Sequence, residues 1–472
     1  MTIIKSRNTL SRRRWLERAA AAAALGPLFK MTQGDASAQQ GGVTYGPINK
    51  YSAPSKLRIT DMRAIVIASG FDFPIIRLDT NEGVSGYGEV RDFAPKGVAL
   101  GLKPLVVGRN PLDITGILQR LRPYAGHGRQ GGGYSAVDMA LHDLNGKIFG
   151  VPVWRLIGDK KFSRVRIYCD TQGSEDPKHY GELMKKRKDM GFTYFKMDVS
   201  SSWIGRDRPG MYDSFGIPTD KGLERAGELI AAVKDAIGWE QPLAADCSGL
   251  GVTRSPNDAI RAARAWEKYN LAFAEDFFGT GTGFKNWRWY KQVNDATTTK
   301  LLTGEDAFGL EEGFKDLIDN HAVDLIHPDM QTAGGCLETK RIAEYANEAG
   351  IQTVFHMGSS PVAAFAGCHV ACTLRNFQAM ECHSVDYLSW WMELVKGVPQ
   401  PIIDKGYMTV PDAPGLGIEL NEPVVKEHLR LPGYFEPTPE YDEVRFLGPA
   451  TSGPWPHYDR DGKWVNERTR DY

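Results

Sequence analysis

Three polar residues, Glu305, Asp329 and His356, each end a short apolar run that reads as a β-strand (LLTGED, VDLIHPD and QTVFH). Helix-like patterns separate the runs, and the spacing, 24 residues from 305 to 329 and 27 from 329 to 356, matches one strand–helix unit of a parallel sheet each time. The carboxyl ends of such strands meet at one rim, so we expect the three side chains to lie together. A carboxylate beside a histidine and an aspartate indicates a metal ligand next to an oriented base.

Two more carboxylates, Asp246 and Glu275, end the two strands that precede Glu305. Three successive strand ends with oxygen ligands suit a hard divalent cation such as Mg²⁺, which keeps open positions for substrate oxygens. Lys196 ends a strand on one side of the three, and the histidine–aspartate pair lies on the other. Such a site can abstract a proton α to a carboxylate and stabilise the resulting enediolate at the metal.

The strands that position these residues recur from Ser163 onward, where strand-like and helix-like segments alternate strictly. The eight candidate strands are SRVRIYCD, FTYFKMDV, PLAADCSG, LAFAEDFF, KLLTGED, VDLIHPDM, IQTVFHM and QAMECHS. Residues 161–386 are therefore predicted to form a β/α barrel. Between Lys196 and Asp246 the spacing is 50 residues (246 − 196), so an insertion there is expected to shape the site.

Two segments flank the predicted barrel. Residues 39–160 contain a three-stranded meander followed by helices, which indicates an α+β domain. Its stretch GHGRQGGG (126–133) lacks the features of a phosphate-binding loop, and we expect it to cover the substrate, with Arg129 at a substrate carboxylate. Residues 387–472 are irregular and rich in Trp and Pro, and they are expected to pack back on the α+β domain.

The composition excludes several classes of function. The 472 residues carry a formal net charge of −1, which gives no electrostatic case for nucleic acid or an anionic membrane as partner. After residue 38 there is no apolar run of ~18 residues, so no transmembrane helix is expected. Six cysteines without a CxxC pair indicate small buried thiols rather than a disulfide framework. A small molecule is the expected partner.

The first 38 residues read as an export signal. The run SRRRWL (11–16) precedes a short apolar stretch (19–29) and an Ala-Ser-Ala cleavage site (36–38). The paired arginines are similar to a twin-arginine signal, whose consensus has Phe and Lys where Trp15 and Glu17 stand. Such signals export folded proteins, which suits a protein that acquires its metal in the cytoplasm. A periplasmic location is predicted.

Seven motifs, in order and at barrel spacing, resemble those of the mandelate racemase subgroup of the enolase superfamily. They are YSAVDMALHDLNGKIFGVPVWRLIG, YFKMD, AADCS, FAEDF, LTGED, IHPDMQTAGG and FHMG, and the resemblance covers Leu57 to about Tyr387. It implies an α/β fold, a modified (β/α)₇β TIM barrel under an N-terminal α+β capping domain, in an enzyme that is commonly a homo-oligomer. It also implies Mg²⁺ at Asp246, Glu275 and Glu305, a base dyad of His356 with Asp329, and Glu381 as the hydrogen-bond partner of the substrate carboxylate.

Three positions depart from the family pattern. The K-x-K motif is K-M-D here, so Lys196 is kept while Asp198 stands where the second, base-forming lysine is usual. Ser248 replaces an asparagine after the first metal ligand, and E-E-P has become Glu275-Asp276-Phe277. Asp198 either acts as a base itself or forms an ion pair, and the sequence leaves both open.

The absent lysine favours elimination, because racemisation needs a proton donor on each face of the substrate. The resemblance therefore predicts a Mg²⁺-dependent lyase that dehydrates a sugar acid (an aldonate or aldarate). His356 would act as base or as acid for the departing hydroxyl, and Lys196 would bind the substrate carboxylate or take the α-proton. Two alternatives stay open: a racemase, epimerase or cycloisomerase that uses Asp198, and a non-catalytic sugar-acid-binding protein.

Overall fold

The computed structural model describes residues 56–442, apart from 69, 71, 127, 129–130, 251–254, 279–285, 384 and 386, together with the backbone of 457–458 and 464–465. The export signal predicted for residues 1–38 and the side chain of Arg129 therefore lie outside the described residues.

The described strands fall into a meander, a barrel and short C-terminal pairs. The meander is β1 (Ile59–Ile67), β2 (Phe73–Thr80) and β3 (Ser85–Glu89). The barrel strands are β4 (Arg164–Cys169), β5 (Phe195–Asp198), β6 (Leu243–Asp246), β7 (Phe273–Glu275), β8 (Leu301–Thr303), β9 (Leu325–Ile326), β10 (Gln352–Phe355) and β11 (Phe377–Cys382). The last are β12 (Val395–Lys396), β13 (Ile403–Asp404), β14 (Tyr407–Thr409), β15 (Glu419–Leu420), β16 (His457–Tyr458) and β17 (Trp464–Val465).

The described α-helices are numbered in chain order. In the first part of the chain they are α1 (Gly97–Leu100), α2 (Lys103–Val106), α3 (Ile114–Leu121), α4 (Gly131–Phe149) and α5 (Val153–Ile157). Between and after the barrel strands they are α6 (Pro177–Asp189), α7 (Ser201–Ile204), α8 (Asp220–Ile237), α9 (Pro256–Trp266), α10 (Trp287–Asn294), α11 (Lys315–Asp319), α12 (Gly335–Glu348), α13 (Pro361–Ala371) and α14 (Glu422–Glu427). Shorter 3₁₀ or π turns cover Arg122–Tyr124, Glu267–Tyr269, Leu310–Phe314, Trp391–Leu394 and Pro439–Tyr441.

The eight strands β4 to β11 pair in parallel with their sequence neighbours, and β11 pairs with β4, so the barrel closes. Each strand, or the residue next to it, sends one apolar or aromatic side chain into a buried layer inside the barrel: Tyr168, Tyr194, Ala244, Phe273, Leu302, Leu325, Val354 and Ala379. Such a layer makes the barrel interior a packed core and leaves chemistry to the carboxyl-end rim. The predicted barrel with an N-terminal strand-and-helix domain is confirmed.

Helix α4 packs directly on strand β3, and two glycines make this possible. A Cβ on Gly88 would lie 1.9 Å from the carbonyl oxygen of Ala136, and one on Gly86 would lie 2.2 Å from that of Ala140. No real Cβ tolerates such distances, so the close backbone approach requires glycine at both positions. The packing fixes the end of β3, where the chain enters the barrel rim.

The Gly-rich stretch differs from its sequence interpretation as a loop. Gly131, Gly132 and Gly133 form the first turn of α4 and are buried. A Cβ on Gly132 would lie 2.7 Å from the backbone nitrogen of Arg91, and one on Gly133 would lie 2.1 Å from the carbonyl oxygen of Val98. These glycines thus serve close packing against the segment after β3 rather than loop mobility.

The C-terminal segment contacts both the barrel and the meander. Strand β14 pairs antiparallel with the first half of β4, and residues 428–430 hydrogen-bond to the end of β1 through Ala68 and Val66. All six cysteines are buried and free, as the sequence predicted. Among the described helices, none combines the length and the apolar character that crossing a membrane requires.

Candidate active site

The carboxyl ends of the barrel strands bring the sequence-predicted residues to one rim. Asp198 is in register with Asp246, and Asp246 is in register with Glu275, on the neighbouring strands β5, β6 and β7. Asp329 and His356 form an isolated bridge just beyond β9 and β10. The structure therefore places these side chains together because parallel strands end at the same level.

Lys196 is 2% exposed and is surrounded by carboxylates. Its Nζ lies within 3.2 Å of three acids: 2.7 Å from Glu381 Oε1, 3.1 Å from Asp246 Oδ2 and 3.2 Å from Glu275 Oε2. Burial alone would lower the pKa of Lys196, but Glu275 and Glu381 outweigh it and hold the pKa well above its usual range. Lys196 is therefore an ammonium at the floor of the site.

His356 lies between two carboxylates. Its Nδ1 is 2.5 Å from Asp329 Oδ2, and its Nε2 is 2.8 Å from Glu305 Oε2. A hydrogen bond from Nδ1–H to Asp329 fixes the ring orientation and leaves Nε2 directed into the site, which is the arrangement of an oriented acid–base catalyst.

The cavity at this rim, of about 250 Å³, has an excess of negative charge. Five carboxylates line it, against two permanent cations and two histidines: Asp92, Asp170, Asp198, Asp246 and Glu305 face Arg91, Lys196, His356 and His383. The buried Glu275 lies beside it, and neither of its oxygens makes an aligned hydrogen bond to any described residue. A buried carboxylate whose only charged partner is the Lys196 ammonium, 3.2 Å from Oε2, is costly, and a bound cation would offset that cost.

The donor set fits a hard cation. Ligand atoms of Glu275, Glu305 and His327 lie within 4.8 Å of one another, whereas the sequence predicted Asp246 as the third ligand. We favour Asp246, Glu275 and Glu305 as the ligands, because Mg²⁺ prefers oxygen ligands. Lys196 Nζ lies 3.1 Å from Asp246 Oδ2 and occupies the space beside that carboxylate.

His327 lies beneath the site rather than in the cavity lining. It is fully buried, with Nε2 3.0 Å from the Tyr168 hydroxyl and Nδ1 3.0 Å from Glu275 Oε1. Burial lowers its pKa to about 3, so the ring is neutral. A neutral imidazole at this place lies against Glu275 without adding charge beneath the site.

Two departures from the family pattern have defined surroundings. The carboxylate of Asp198 lines the cavity, and among the described residues no Lys, Arg or His nitrogen lies within 4.0 Å of it, so it does not pair with Lys196. Burial and then the Asp170 carboxylate raise its pKa well above the usual range. Asp276 is buried with φ +52°, and its Oδ1 accepts a hydrogen bond from the Thr303 hydroxyl at 2.5 Å.

Several residues that line the site were not predicted from the sequence: Arg91, Asp92, Phe93, Asp170 and His383. Arg91 and Phe93 come from the segment after β3. His383 lies directly after β11, with its Nε2 3.3 Å from Glu381 Oε1. The sequence feature that could have identified Arg91 is the charged pair Arg91-Asp92 directly after an apolar strand, in GYGEVRDF.

Comparison with known proteins defines the class. Residues 56–158 match the "Mandelate racemase / muconate lactonizing enzyme, N-terminal domain" model, and residues 179–424 match the "Enolase C-terminal domain-like" model. The chain belongs to the mandelate racemase/muconate lactonizing enzyme family of the enolase superfamily, and it is an enzyme.

Individual relatives extend over most of the chain. A D-xylonate dehydratase of Haloferax volcanii is 30% identical over 413 residues, covering 85% of this chain and 95% of that protein. A mandelate racemase/muconate lactonizing enzyme-like protein from Rubrobacter xylanophilus has a TM-score of 0.72 at 28% identity, covering 81% of this chain and 100% of that one. An enolase from Pantoea ananatis, crystallised with bound D-gluconate and magnesium, has a TM-score of 0.67 at 26% identity, covering 79% and 94% of the two chains.

Proposed function

We propose that this protein is a Mg²⁺-dependent lyase that removes water from a sugar acid, an aldonate or an aldarate. The observation that carries the proposal is the arrangement around Glu381, whose Oε1 is 2.7 Å from Lys196 Nζ and whose Oε2 is 3.7 Å from His356 Nε2. One cationic donor and one imidazole thus face the same small cavity. The similarity to a D-xylonate dehydratase supports the same reaction class.

The carboxylates of Asp246, Glu275 and Glu305 would hold the Mg²⁺. When bound, the ion supplies positive charge that stabilises the negative charge developing on the substrate carboxylate as its α-proton leaves. The oxygens of Glu275, which make no aligned hydrogen bond to a described residue, support this assignment. The magnesium in the Pantoea ananatis structure is consistent with it.

Lys196 binds and polarises the substrate carboxylate. It is an ammonium, because the neighbouring carboxylates raise its pKa, and it can donate hydrogen bonds from the floor of the cavity. A fixed positive charge at this place in a dry site stabilises an enediolate more than it stabilises the substrate. Its role is therefore electrostatic.

His356 moves the protons. Nδ1 is committed to Asp329, so the chemistry belongs to Nε2. The α C–H bond breaks and its proton passes to Nε2; the β C–O bond then breaks, and the hydroxyl leaves as water with that proton. The enol that remains tautomerises to a 2-keto-3-deoxy acid. His356 thus serves first as the base and then as the acid, and an elimination reaction permits one residue to do both.

The test is a panel of aldonic and aldaric acids incubated with the Mg²⁺-loaded protein, with the 2-keto-3-deoxy product measured as its semicarbazone. We expect product from at least one acid and none from the His356→Asn variant. Turnover without Mg²⁺, or undiminished turnover by His356→Asn, would contradict the proposal. Absence of product across the panel would favour a lactone-forming reaction or a binding protein.

A second candidate function is a racemase, epimerase or cycloisomerase on the same scaffold. The observation that favours it is Asp198, which lines the cavity and has a raised pKa, so that it can exchange a proton nearer to neutral pH. In this case Asp198 would serve one face of the substrate and His356 the other. Exchange of the α-proton without loss of water would distinguish it from the dehydratase.

We also propose export through the twin-arginine route. The support is the order of the sequence features, with paired arginines, a short apolar stretch and an Ala-Ser-Ala site within the first 38 residues. A variant with Arg12 and Arg13 both changed to lysine should remain in the cytoplasm of an expressing bacterium, while the parent protein is recovered from the periplasm with its N-terminus near residue 39. The same distribution of the variant and the parent between cytoplasm and periplasm would contradict export through this route.

A further inference from the structure

Arg91 is among the most deeply buried large side chains of the described chain, at 1% exposure. An arginine is almost never fully buried unless it is paired, so the groups around Arg91 indicate which residues it keeps in place. It lies two residues after β3, in the N-terminal domain, yet it reaches carboxylates that the barrel carries: Glu305, Asp306 and Asp329.

The strongest of these contacts concern the dyad aspartate. Arg91 Nη1 donates to Asp92 Oδ1 at 2.6 Å and to Asp329 Oδ2 at 3.1 Å. The same Oδ2 of Asp329 accepts from His356 Nδ1 at 2.5 Å, while its Oδ1 accepts from the backbone N–H of Gln331 at 2.5 Å. Both oxygens of Asp329 are thus held, and the plane of its carboxylate is fixed.

The second branch of the guanidinium reaches the other side of His356. Arg91 Nη2 lies 3.7 Å from Glu305 Oε1, and His356 Nε2 lies 2.8 Å from Glu305 Oε2. Arginine and imidazole therefore span the same two carboxylates, Asp329 and Glu305. The planar, forked guanidinium can do this, whereas a lysine ammonium is a single point of charge.

The backbone around Arg91 is held as firmly as its side chain. The side-chain amide of Gln331, two residues after Asp329, donates to the carbonyl oxygen of Val90 at 2.8 Å. A Cβ on Gly132 would lie 2.7 Å from the nitrogen of Arg91, so helix α4 packs against this segment without a side chain between them. The N-terminal domain thus presents Arg91 to the rim at a defined position.

We propose that Arg91 is a positioning residue of the reaction, which keeps Asp329 and Glu305 in place about His356 so that Nε2 points at the substrate. It acts through these side chains and through its own contact with the ring, since its Nη1 lies 3.1 Å from His356 Nδ1, and it does not itself exchange a proton. The inference rests on the proposed function, because it assigns Arg91 to the proton transfers of His356. Displacement of a catalytic group by about 1 Å can cost on the order of 100-fold in rate.

The experiment compares Arg91→Lys and Arg91→Met with Arg77→Lys in the Mg²⁺-loaded protein. Arg77 is a matched control, since it lies on β2 of the same domain and makes a two-pronged pair with Asp79 at 2.7 and 3.0 Å, away from the rim. We expect kcat of both Arg91 variants to fall by about 100-fold with KM changed less than about threefold, and Arg77→Lys to keep the parent values.

Several results would overturn the inference. Parent-like kcat in Arg91→Lys and Arg91→Met would do so, and so would a raised KM with unchanged kcat, which would make Arg91 a substrate-binding residue. A crystal structure of Arg91→Met supplies a readout that needs no turnover: we expect the contact between Asp329 and His356 to lengthen or break, and an unchanged 2.5 Å contact would refute the positioning role. A parent protein without turnover would count against the proposed function instead, while the crystal structure would still decide on Arg91.

Discussion

The Nζ atom of Lys196 lies 2.7 Å from Oε1 of Glu381, which is 185 residues further along the chain. The pair closes the floor of the cavity, and we predict that Lys196→Ala lowers kcat by ~100-fold or more, because the substrate carboxylate loses its cationic partner. It also leaves buried carboxylates without their counter-charge, which costs roughly 3–5 kcal/mol of folding stability. Steady-state kinetics and thermal unfolding measure the two effects.

Lys103→Ala is the control for the loss of stability. Lys103 is also buried in the N-terminal domain, and it pairs with Asp61 at 2.7 Å in the same domain and with Asp442 of the C-terminal segment at 2.6 Å. We expect this variant to be less stable but to keep the parent kcat. Normal turnover by Lys196→Ala would remove Lys196 from the chemistry.

Asp198→Asn separates the dehydratase from the alternatives that use a second base. The proposed elimination needs only His356 for proton transfer, so we predict that dehydration by Asp198→Asn stays within about threefold of the parent rate. If Asp198 were a base, the amide could not accept a proton and the rate would collapse. A loss of 100-fold or more with an intact fold would therefore assign the chemistry to Asp198.

Mg²⁺ should stabilise the folded protein through the three carboxylates. A ligand at 100 times its dissociation constant adds about 2.7 kcal/mol to the free energy of unfolding, so the melting temperature should rise with Mg²⁺. Glu275→Gln should lose this rise, while Glu311→Gln, which changes an exposed acid paired with Arg341, should keep it. An equal Mg²⁺ response in both variants would place the metal elsewhere.

Glu89 predicts a pH dependence of stability. It is buried at the N-terminus of α13, accepts hydrogen bonds from Ser360 and Ala363, and burial raises its pKa to about 7 from 4.5. A carboxyl whose pKa is raised in the folded state keeps its proton up to a higher pH in the folded chain than in the unfolded chain. The free energy of unfolding therefore falls as pH rises from about 4.5 to about 7. The full shift corresponds to roughly 3 kcal/mol.

Urea unfolding at pH 5 and pH 8 measures this loss. We expect Glu89→Gln to lose less stability between the two pH values than the parent does. Asp113→Asn, a change at the exposed N-cap of α3, should show the parent dependence. An identical pH dependence in Glu89→Gln and the parent would show that Glu89 does not titrate in this window.

The barrel and its rim were predictable because they depend on local order in the sequence. A polar residue at the end of each apolar run identifies a strand and its rim position at once, so Asp246, Glu275, Glu305 and Glu381 could be found by spacing alone. Their placement together needs only that the strands be parallel and in register.

The parts that the sequence did not predict depend on contacts between distant segments. Arg91 meets Asp329 across 238 residues, and Tyr168 meets His327 across 159, and neither residue type nor spacing points to such partners. The turn at Gly131 to Gly133 looked like a loop because glycine is a poor helix former. Glycine is required in this turn for steric reasons, because segments far away in the sequence pack against it. Tertiary contact therefore outweighs local helix propensity there.

The most direct test of the central claim uses NMR to follow aldonic and aldaric acids incubated with the Mg²⁺-loaded protein in D₂O. The account predicts loss of water to a 2-keto-3-deoxy acid for at least one member of the panel, with His356→Asn inactive on the same acid. Exchange of the α-proton for deuterium with the substrate otherwise intact would contradict it. That result would mean that proton abstraction is the whole reaction and that Asp198, not a departing hydroxyl, completes it.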